Sequence, residues 1–273
     1  MQPPDQPQSS GAARVYLLSL LVFPLFVLAA ALRNHQPGLL ALLDSSQLYF
    51  VSVWLPFGVV LPALALRTII RSYGGDPHAF GATLTTRDLL LALVGLALGG
   101  AVFYFQAWRP LPPEAQRPGI VAHYVIWMLY PSIAESLVFM GVVFHAAEAS
   151  ARQLWRWPGG RIVGAVCGVL LSSVAFAVFH FSYPTPWNTW ALVRTMFFVW
   201  VAVSSFYALT RSMPAALMFH TLLAVTGFVR NQQDVRSPDL LGLALNAVAI
   251  VVVVAILSTA ATSSRALSRR QPA

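Results

Sequence analysis

Residues 162–181 read IVGAVCGVLLSSVAFAVFHF, a run of 20 residues without a charged side chain. About 20 consecutive apolar residues in a helix are enough to cross the hydrocarbon core of a bilayer. Seven other apolar runs have a similar character, and they cover about 15–32, 47–66, 89–108, 120–149, 189–210, 214–229 and 240–262. The pattern predicts an all-α fold, namely a polytopic transmembrane helical bundle of about eight spans.

The composition of the 273 residues supports the same fold class. Apolar residues make up 58% of the chain and charged residues only 10%, whereas a soluble domain carries about 25% charged residues. The net charge of +8 reflects 17 basic residues, all of them Arg, which are spread in ones and twos between the apolar runs. Because nucleic-acid binding needs basic residues gathered on one face, we expect a lipid bilayer around this protein and no nucleic-acid partner.

The distribution of Arg predicts an orientation in the membrane. With eight spans both termini lie on one side, and the loops and tails of that side carry 11 Arg against five on the other side. The positive-inside rule then places both termini in the cytoplasm. We expect an integral protein of a bacterial cytoplasmic membrane, with one transmembrane domain over 14–263 between a mobile polar tail at 1–13 and a basic tail at 264–273.

Acidic residues inside a span are informative because burying a charge in a bilayer costs about 2.5 kcal/mol or more. Most of the nine acids lie in predicted loops, tails or span ends. Glu148 lies close to the end of the fourth run, and we expect it to form a surface ion pair with Arg152 at i+4. Glu135 remains, deep within YPSIAESLVFMGVVFH at 130–145.

Two histidines share this apolar context, His180 in SSVAFAVFHFSYP and His220 in MPAALMFHTLLAVTG. The other membrane histidines, His123 and His145, are expected to be packing or interfacial residues. One Glu and two His on three helices can converge on a site that activates water, with a general base and oxyanion support, or on a metal site. The pattern also leaves open a transporter in which Glu135 carries a proton. The predicted depths of His180, near the outer end of its span, and His220, closer to an inner end, disagree.

These segments resemble the CPBP family of intramembrane proteases, which includes type II CAAX prenyl endopeptidases and bacteriocin-processing or immunity (Abi-like) proteins. The family pattern reads roughly P-x-x-E-E-x-x-F-R-G, then F-x-x-x-H, then H-x-x-x-N or H-x-x-x-D. Pro131 to Gly141 match the first motif with one extra residue before Glu135, Phe176 to His180 match the second, and His220 begins the third. The resemblance covers about 120–230 and identifies the chain as a divergent member.

The resemblance implies an intramembrane endopeptidase that cleaves a membrane protein or lipopeptide, namely a membrane-associated, lipidated or sorting-signal peptide. In that reading Glu135 activates water, His180 helps to position the water, and His220 stabilises the oxyanion. Phe139 and Phe176, on the helix faces of Glu135 and His180, are supporting residues. No cofactor is certain, but Glu135, His180 and His220 would also suit a Zn²⁺ site with an open fourth position.

The chain departs from the family pattern at Ser136, Met140 and Ala224, which replace the second Glu, the Arg and the Asn. Losing both members of an i,i+4 ion pair avoids an uncompensated buried charge. The loss at Ala224 removes a donor that could support an oxyanion, and three polar residues are candidates to replace it: Asn188, Asn246 and Thr221. Arg194, in the sixth run, is a further supporting candidate that either extends to the membrane interface or pairs with Glu135. A catalytically inactive immunity or scaffold protein is the remaining alternative.

Overall fold

The computed structural model describes residues 18, 21–32, 50–72, 77–111, 116, 118–154, 159–183, 185, 187–231 and 240–268. This part of the chain is helical with connecting turns, and it contains no strand. The all-α prediction is therefore confirmed. The predicted tail at 1–13 lies outside the described residues, and so do the last residues of the predicted tail at 264–273.

Eight helices follow the eight predicted apolar runs, and some contain a segment of π-helical or 3₁₀ winding. We number them α1 (Leu21–Leu32), α2 (Phe50–Val60, then Leu61–Ser72), α3 (Thr86–Phe103, then Tyr104–Trp108), α4 (Pro118–Glu135, Ser136–Phe144, then His145–Leu154), α5 (Gly160–Phe179, then His180–Ser182), α6 (Trp190–Thr210), α7 (Met213–Asn231) and α8 (Leu240–Ser268). Six of them, α2 to α7, are long and apolar enough to cross a membrane, and α1 and α8 add shorter apolar stretches. The chain is an integral membrane protein, as its composition predicted.

α4 forms the centre of the bundle and is the most enclosed of the six spans. Its winding is regular as far as Glu135, π-helical over Ser136–Phe144, and regular again from His145. A π-helical turn closes its hydrogen bonds one residue later than an α-helical turn, and such turns are frequent at functional sites. The irregular segment therefore begins directly after the one acid that the sequence places deep in a span.

α7 packs closely against α3 because small residues line the contact. A Cβ atom on Gly95 would lie 2.3 Å from the carbonyl oxygen of Ala215, and one on Gly99 would lie 2.8 Å from the Cβ of Leu222. Glycines four residues apart let two membrane helices approach at backbone distance. The α3–α7 contact thus fixes the helix that carries His220.

The turn between α6 and α7 is held by the loop that precedes α3. Gly81 has φ +60°, and a Cβ there would lie 2.4 Å from the carbonyl oxygen of Arg211. The Met213 amide donates to the Gly81 carbonyl at 2.9 Å. Arg211 itself ends α6 in the left-handed region, with φ 48°. The start of α7 is therefore anchored by backbone contacts to a segment more than 120 residues earlier in the chain.

Candidate active site

Glu135 lies where α4 changes to π-helical winding, and its carboxylate is buried in the bundle. The side chain is 9% exposed, and Nε2 of His220 lies 3.4 Å from Glu135 Oε2. The Tyr183 hydroxyl donates to Glu135 Oε1, also at 3.4 Å. The carboxylate is therefore contacted on one oxygen from α7 and on the other from the turn that follows α5.

His180 begins the 3₁₀ turn at the end of α5. Its Nδ1 lies 2.8 Å from the carbonyl oxygen of Phe176, one helical turn earlier. In the neutral ring this hydrogen bond places the proton on Nδ1 and leaves a lone pair on Nε2. The ring stacks on Tyr183 with 5.3 Å between the centroids and 29° between the planes. His180 therefore has an acceptor nitrogen and lies against the tyrosine that contacts Glu135.

His220 lies near the middle of α7 and is almost wholly buried. Its Nδ1 is buried and has no hydrogen-bond partner among the described residues. With a proton on Nε2 the ring donates towards Glu135 and keeps Nδ1 as an acceptor. The imidazole is thus held by one contact to the carboxylate and otherwise by aromatic rings.

Aromatic side chains surround the polar cluster and exclude water from its inner side. Phe176 stacks on Trp200 at 4.0 Å between centroids, and Phe139 meets both rings edge-on at 5.2 and 5.5 Å. Trp200 in turn contacts His220 edge-on at 4.8 Å. The two predicted supporting residues, Phe139 and Phe176, therefore lie in one buried group that packs against the cluster.

Phe176 contacts both imidazoles, at 4.6 Å from His180 and 5.7 Å from His220 between centroids. The difference in depth that the sequence predicts therefore does not keep the two histidines apart, because both rings pack on the same phenylalanine.

Two predicted supporting residues lie elsewhere. Asn188 is half-buried in the turn before α6, where its Oδ1 accepts from the Thr185 hydroxyl at 3.2 Å. Arg194 is exposed on α6 and forms no ion pair with Glu135. The position of Arg194, about one turn into a membrane helix, suits a side chain that extends to the interface.

The other candidate donors serve their own helices or a neighbouring one. The Thr221 hydroxyl donates to the Leu217 carbonyl at 2.8 Å, one turn earlier in α7. The Asn246 amide donates to the Ile126 carbonyl at 2.6 Å, which joins α8 to α4. Neither contact reaches Glu135.

Sequence reasoning missed Tyr183 and Trp200. The signal for Tyr183 was its position three residues after His180 in HFSYP, since one 3₁₀ turn returns the chain to the same side. Trp200 carries no comparable signal, because a tryptophan within an apolar run is ordinary in a membrane helix. Its contact with His220 depends on how α6 and α7 pack.

The described residues contain no group of three His, Cys, Asp or Glu side chains placed to hold a metal ion. Nε2 of His220 lies 3.4 Å from Glu135 Oε2 and is directed at the carboxylate. The residues present thus do not fit the three-ligand Zn²⁺ site that their types suggested.

A second polar cluster lies at the end of α4 and corrects the prediction of a surface ion pair. Glu148 does pair with Arg152, at 2.7 Å between Nη2 and Oε1, but its side chain is only 6% exposed. Arg211 donates to both Glu148 oxygens, with 2.9 Å between Nη1 and Oε2. The prediction failed because the second arginine comes from another helix end, which i,i+4 spacing cannot show.

The same cluster extends to His145 and the loop before α3. His145 Nδ1 lies 3.4 Å from Glu148 Oε2, and its Nε2 lies 2.7 Å from the Tyr207 hydroxyl. That hydroxyl donates to the Phe80 carbonyl at 2.7 Å. Burial alone lowers the pKa of Arg211, but the hydrogen bonds and the charge of Glu148 outweigh it, so that pKa lies above its ordinary value. This network of hydrogen bonds and ion pairs joins the ends of α4, α6 and α7.

The fold and the buried cluster define a polytopic membrane protein with a candidate hydrolytic site between its helices. Residues 117–226 match the family model described as type II CAAX prenyl endopeptidase Rce1-like. The chain thus contains an Rce1-like domain, consistent with the CPBP proteases that its motifs resemble, and the match includes Glu135, His180 and His220. The family supports protease activity of the CAAX-type intramembrane endopeptidase class. No curated protein and no solved structure matches the chain.

Proposed function

We propose that this protein is an intramembrane endopeptidase in which Glu135 activates the attacking water. The observation that carries the proposal is the contact between a buried carboxylate and a buried imidazole, Glu135 Oε2 and His220 Nε2 at 3.4 Å. A carboxylate placed among apolar helices, with no arginine paired to it in the described part of the chain, is costly, and general-base catalysis gives it a use. The Rce1-like match over 117–226 supports the same class of reaction.

In the proposed reaction Glu135 removes a proton from a water molecule, and the water oxygen bonds to the scissile carbonyl carbon. The π electrons of the carbonyl move to its oxygen, and His220 stabilises the resulting oxyanion. His180 accepts a hydrogen bond from the water through Nε2, since its Nδ1 is held by Phe176. The intermediate then breaks its C–N bond, and Glu135 returns the proton to the leaving nitrogen.

The substrate in this proposal is a peptide delivered from the bilayer, either lipidated or carrying a sorting signal near its C-terminus. The site lies between apolar helices whose outer faces carry exposed leucines and valines, for example Leu89, Leu93 and Val174. A peptide held in the same bilayer reaches such a site without leaving the membrane. The match to type II CAAX prenyl endopeptidases supports a prenylated CAAX peptide as the first substrate to test.

The test is cleavage of a prenylated peptide ending in a CAAX sequence by the purified protein in liposomes, with the unprenylated peptide beside it. Glu135→Gln keeps the size of the side chain but removes the base, so we expect release of the C-terminal fragment to stop while expression stays normal. Glu114→Gln, in the segment between α3 and α4, is the matched control and should cleave like the wild type. Cleavage retained by Glu135→Gln would sink the mechanism.

The same assay separates the alternatives. A wild-type protein that is folded but cleaves neither peptide would contradict the proposal and favour an inactive immunity or scaffold protein. A transporter would instead show Glu135-dependent flux without a shortened product.

A further inference from the structure

Tyr183 is the residue at the site to which neither the sequence motifs nor the family description gives a role. We propose that it is a further catalytic residue, whose phenol O–H donates a hydrogen bond to the oxyanion formed at the scissile carbonyl. The inference rests on the proposed function and adds a second donor to the one assigned to His220.

The ring of Tyr183 is held from two sides and through its backbone. It stacks on His180 at 29° between planes and meets Phe179 edge-on at 5.2 Å between centroids. The Tyr183 amide donates to the His180 carbonyl at 3.1 Å and closes the turn. These contacts fix the direction of the phenol without using its hydroxyl, which is what a preorganised donor requires.

The hydroxyl is directed at the reacting group. It donates to Glu135 Oε1 at 3.4 Å, well beyond the usual O–H···O distance of about 2.7–2.8 Å. A bond this long is weak, so it can be exchanged for a shorter one when an oxyanion forms next to the carboxylate. The donor therefore already lies beside the atom that takes the proton from water.

Two of the donors that could replace the missing family Asn are occupied within the bundle. Position 224, one turn after His220, is an alanine and supplies no donor. The Thr221 hydroxyl donates to Leu217 within α7, and the Asn246 amide donates to Ile126. In the described part of the chain, Tyr183 is the O–H group that contacts Glu135.

In the step assigned to Tyr183 no proton changes hands on the phenol. Water loses one proton to Glu135, its oxygen bonds to the carbonyl carbon, and the carbonyl π pair becomes the oxyanion that accepts from Tyr183 and His220. When the oxyanion re-forms the carbonyl, the C–N bond breaks and its electron pair takes the proton from Glu135. One water and one peptide bond give one acid and one amine, with the tyrosine unchanged.

The experiment measures kcat and KM for cleavage of the prenylated peptide in liposomes by the Tyr183→Phe variant. Phenylalanine keeps the ring contacts but removes the donor, and loss of one oxyanion donor lowers kcat by about 100-fold or more. We expect that fall in kcat with KM within about two-fold of the wild type, since the lost bond forms mainly in the transition state. Tyr104→Phe, on the exposed face of α3, should leave both constants unchanged.

A second variant keeps the inference testable even if Tyr183→Phe weakens the fold. Ala224→Asn, introduced into the Tyr183→Phe protein, restores a donor one turn from His220 on the same helix face. We expect kcat of the double variant to be at least about tenfold higher than kcat of Tyr183→Phe alone. A purely structural role of the phenol would give no such recovery.

Three results would overturn the role of Tyr183: an unchanged kcat, a change in KM alone, or a fall in kcat that Ala224→Asn leaves unrepaired. Glu135→Gln separates this failure from that of the proposed function. If Glu135→Gln stops cleavage while Tyr183→Phe does not slow it, the peptidase proposal stands and the donor assignment falls.

Discussion

Two buried glutamates on the same helix, Glu135 and Glu148, have very different surroundings. Glu148 receives hydrogen bonds from Arg152 and Arg211, at distances that include 2.7 and 2.9 Å. Among the described residues no arginine pairs with Glu135, and its contacts with His220 and Tyr183 are both 3.4 Å. Since an unpaired buried charge is strongly unfavourable, a purely structural glutamate would be paired as Glu148 is. The weak contacts of Glu135 are what the proposed role as a general base requires.

The arrangement of the three candidate site residues also leads to a prediction about metal. Because Glu135, His180 and His220 do not converge as a three-ligand group, we expect 1,10-phenanthroline to leave peptide cleavage unchanged. We also expect elemental analysis of the purified protein to find far less than one zinc per chain. A known zinc protease treated in parallel is the control for the chelator. The expectation would be contradicted if the protein held one equivalent of zinc, if chelation removed both the zinc and the activity, and if Glu135→Gln held no zinc.

At the scale of the element, the position of α7 decides whether His220 reaches Glu135. α7 is held along its length by the glycine face of α3 and at its start by Gly81 and by the pairing of Arg211 with Glu148. These contacts are made by the backbone at glycines or by a paired charge, and such groups cannot rotate away as a flexible side chain can. α7 therefore has little freedom to shift. Geometry at the site therefore depends on packing well away from it.

Two glycines on α3 offer a matched test of that dependence. Gly95→Ala would place a Cβ 2.3 Å from the Ala215 carbonyl oxygen, whereas the Cβ of Gly100→Ala would meet its nearest atom, on Leu222, at 3.9 Å. Overpacking of this kind costs about 1–3 kcal/mol. We expect Gly95→Ala to unfold at a lower temperature in detergent and to cleave peptide more slowly, because the shift of α7 carries His220 with it. Equal stability and equal rates for the two variants would show that the α3–α7 contact does not position the site.

At the scale of the whole molecule, the fold could be predicted from the sequence because the hydropathy of each segment largely determines whether that segment forms a membrane helix. In the described part of the chain each of the eight apolar runs contains a helix, since a bilayer requires every spanning backbone to satisfy its own hydrogen bonds. Glu135, His180 and His220 could be selected because polar side chains are scarce in such runs. Tyr183 and the burial of Glu148 could not be predicted from the sequence, since both depend on contacts between helix ends distant in sequence. The π-helical segment of α4 likewise has no simple sequence signal.

The distribution of charge over the whole chain predicts the orientation of the bundle in the membrane. With eight helices, the loops and tails of one side carry 11 Arg and those of the other side carry five. The bundle should therefore insert with both termini in the cytoplasm. That orientation places Glu148 and Arg211 towards the cytoplasm and the His180–Tyr183 turn towards the opposite face. We expect a reporter that fluoresces only in the cytoplasm to be bright when fused to the C-terminus. We also expect a phosphatase that is active only outside the cytoplasm to work when inserted between α3 and α4. The exchanged fusions are the controls, and the reverse pattern would place the His180–Tyr183 turn on the cytoplasmic side.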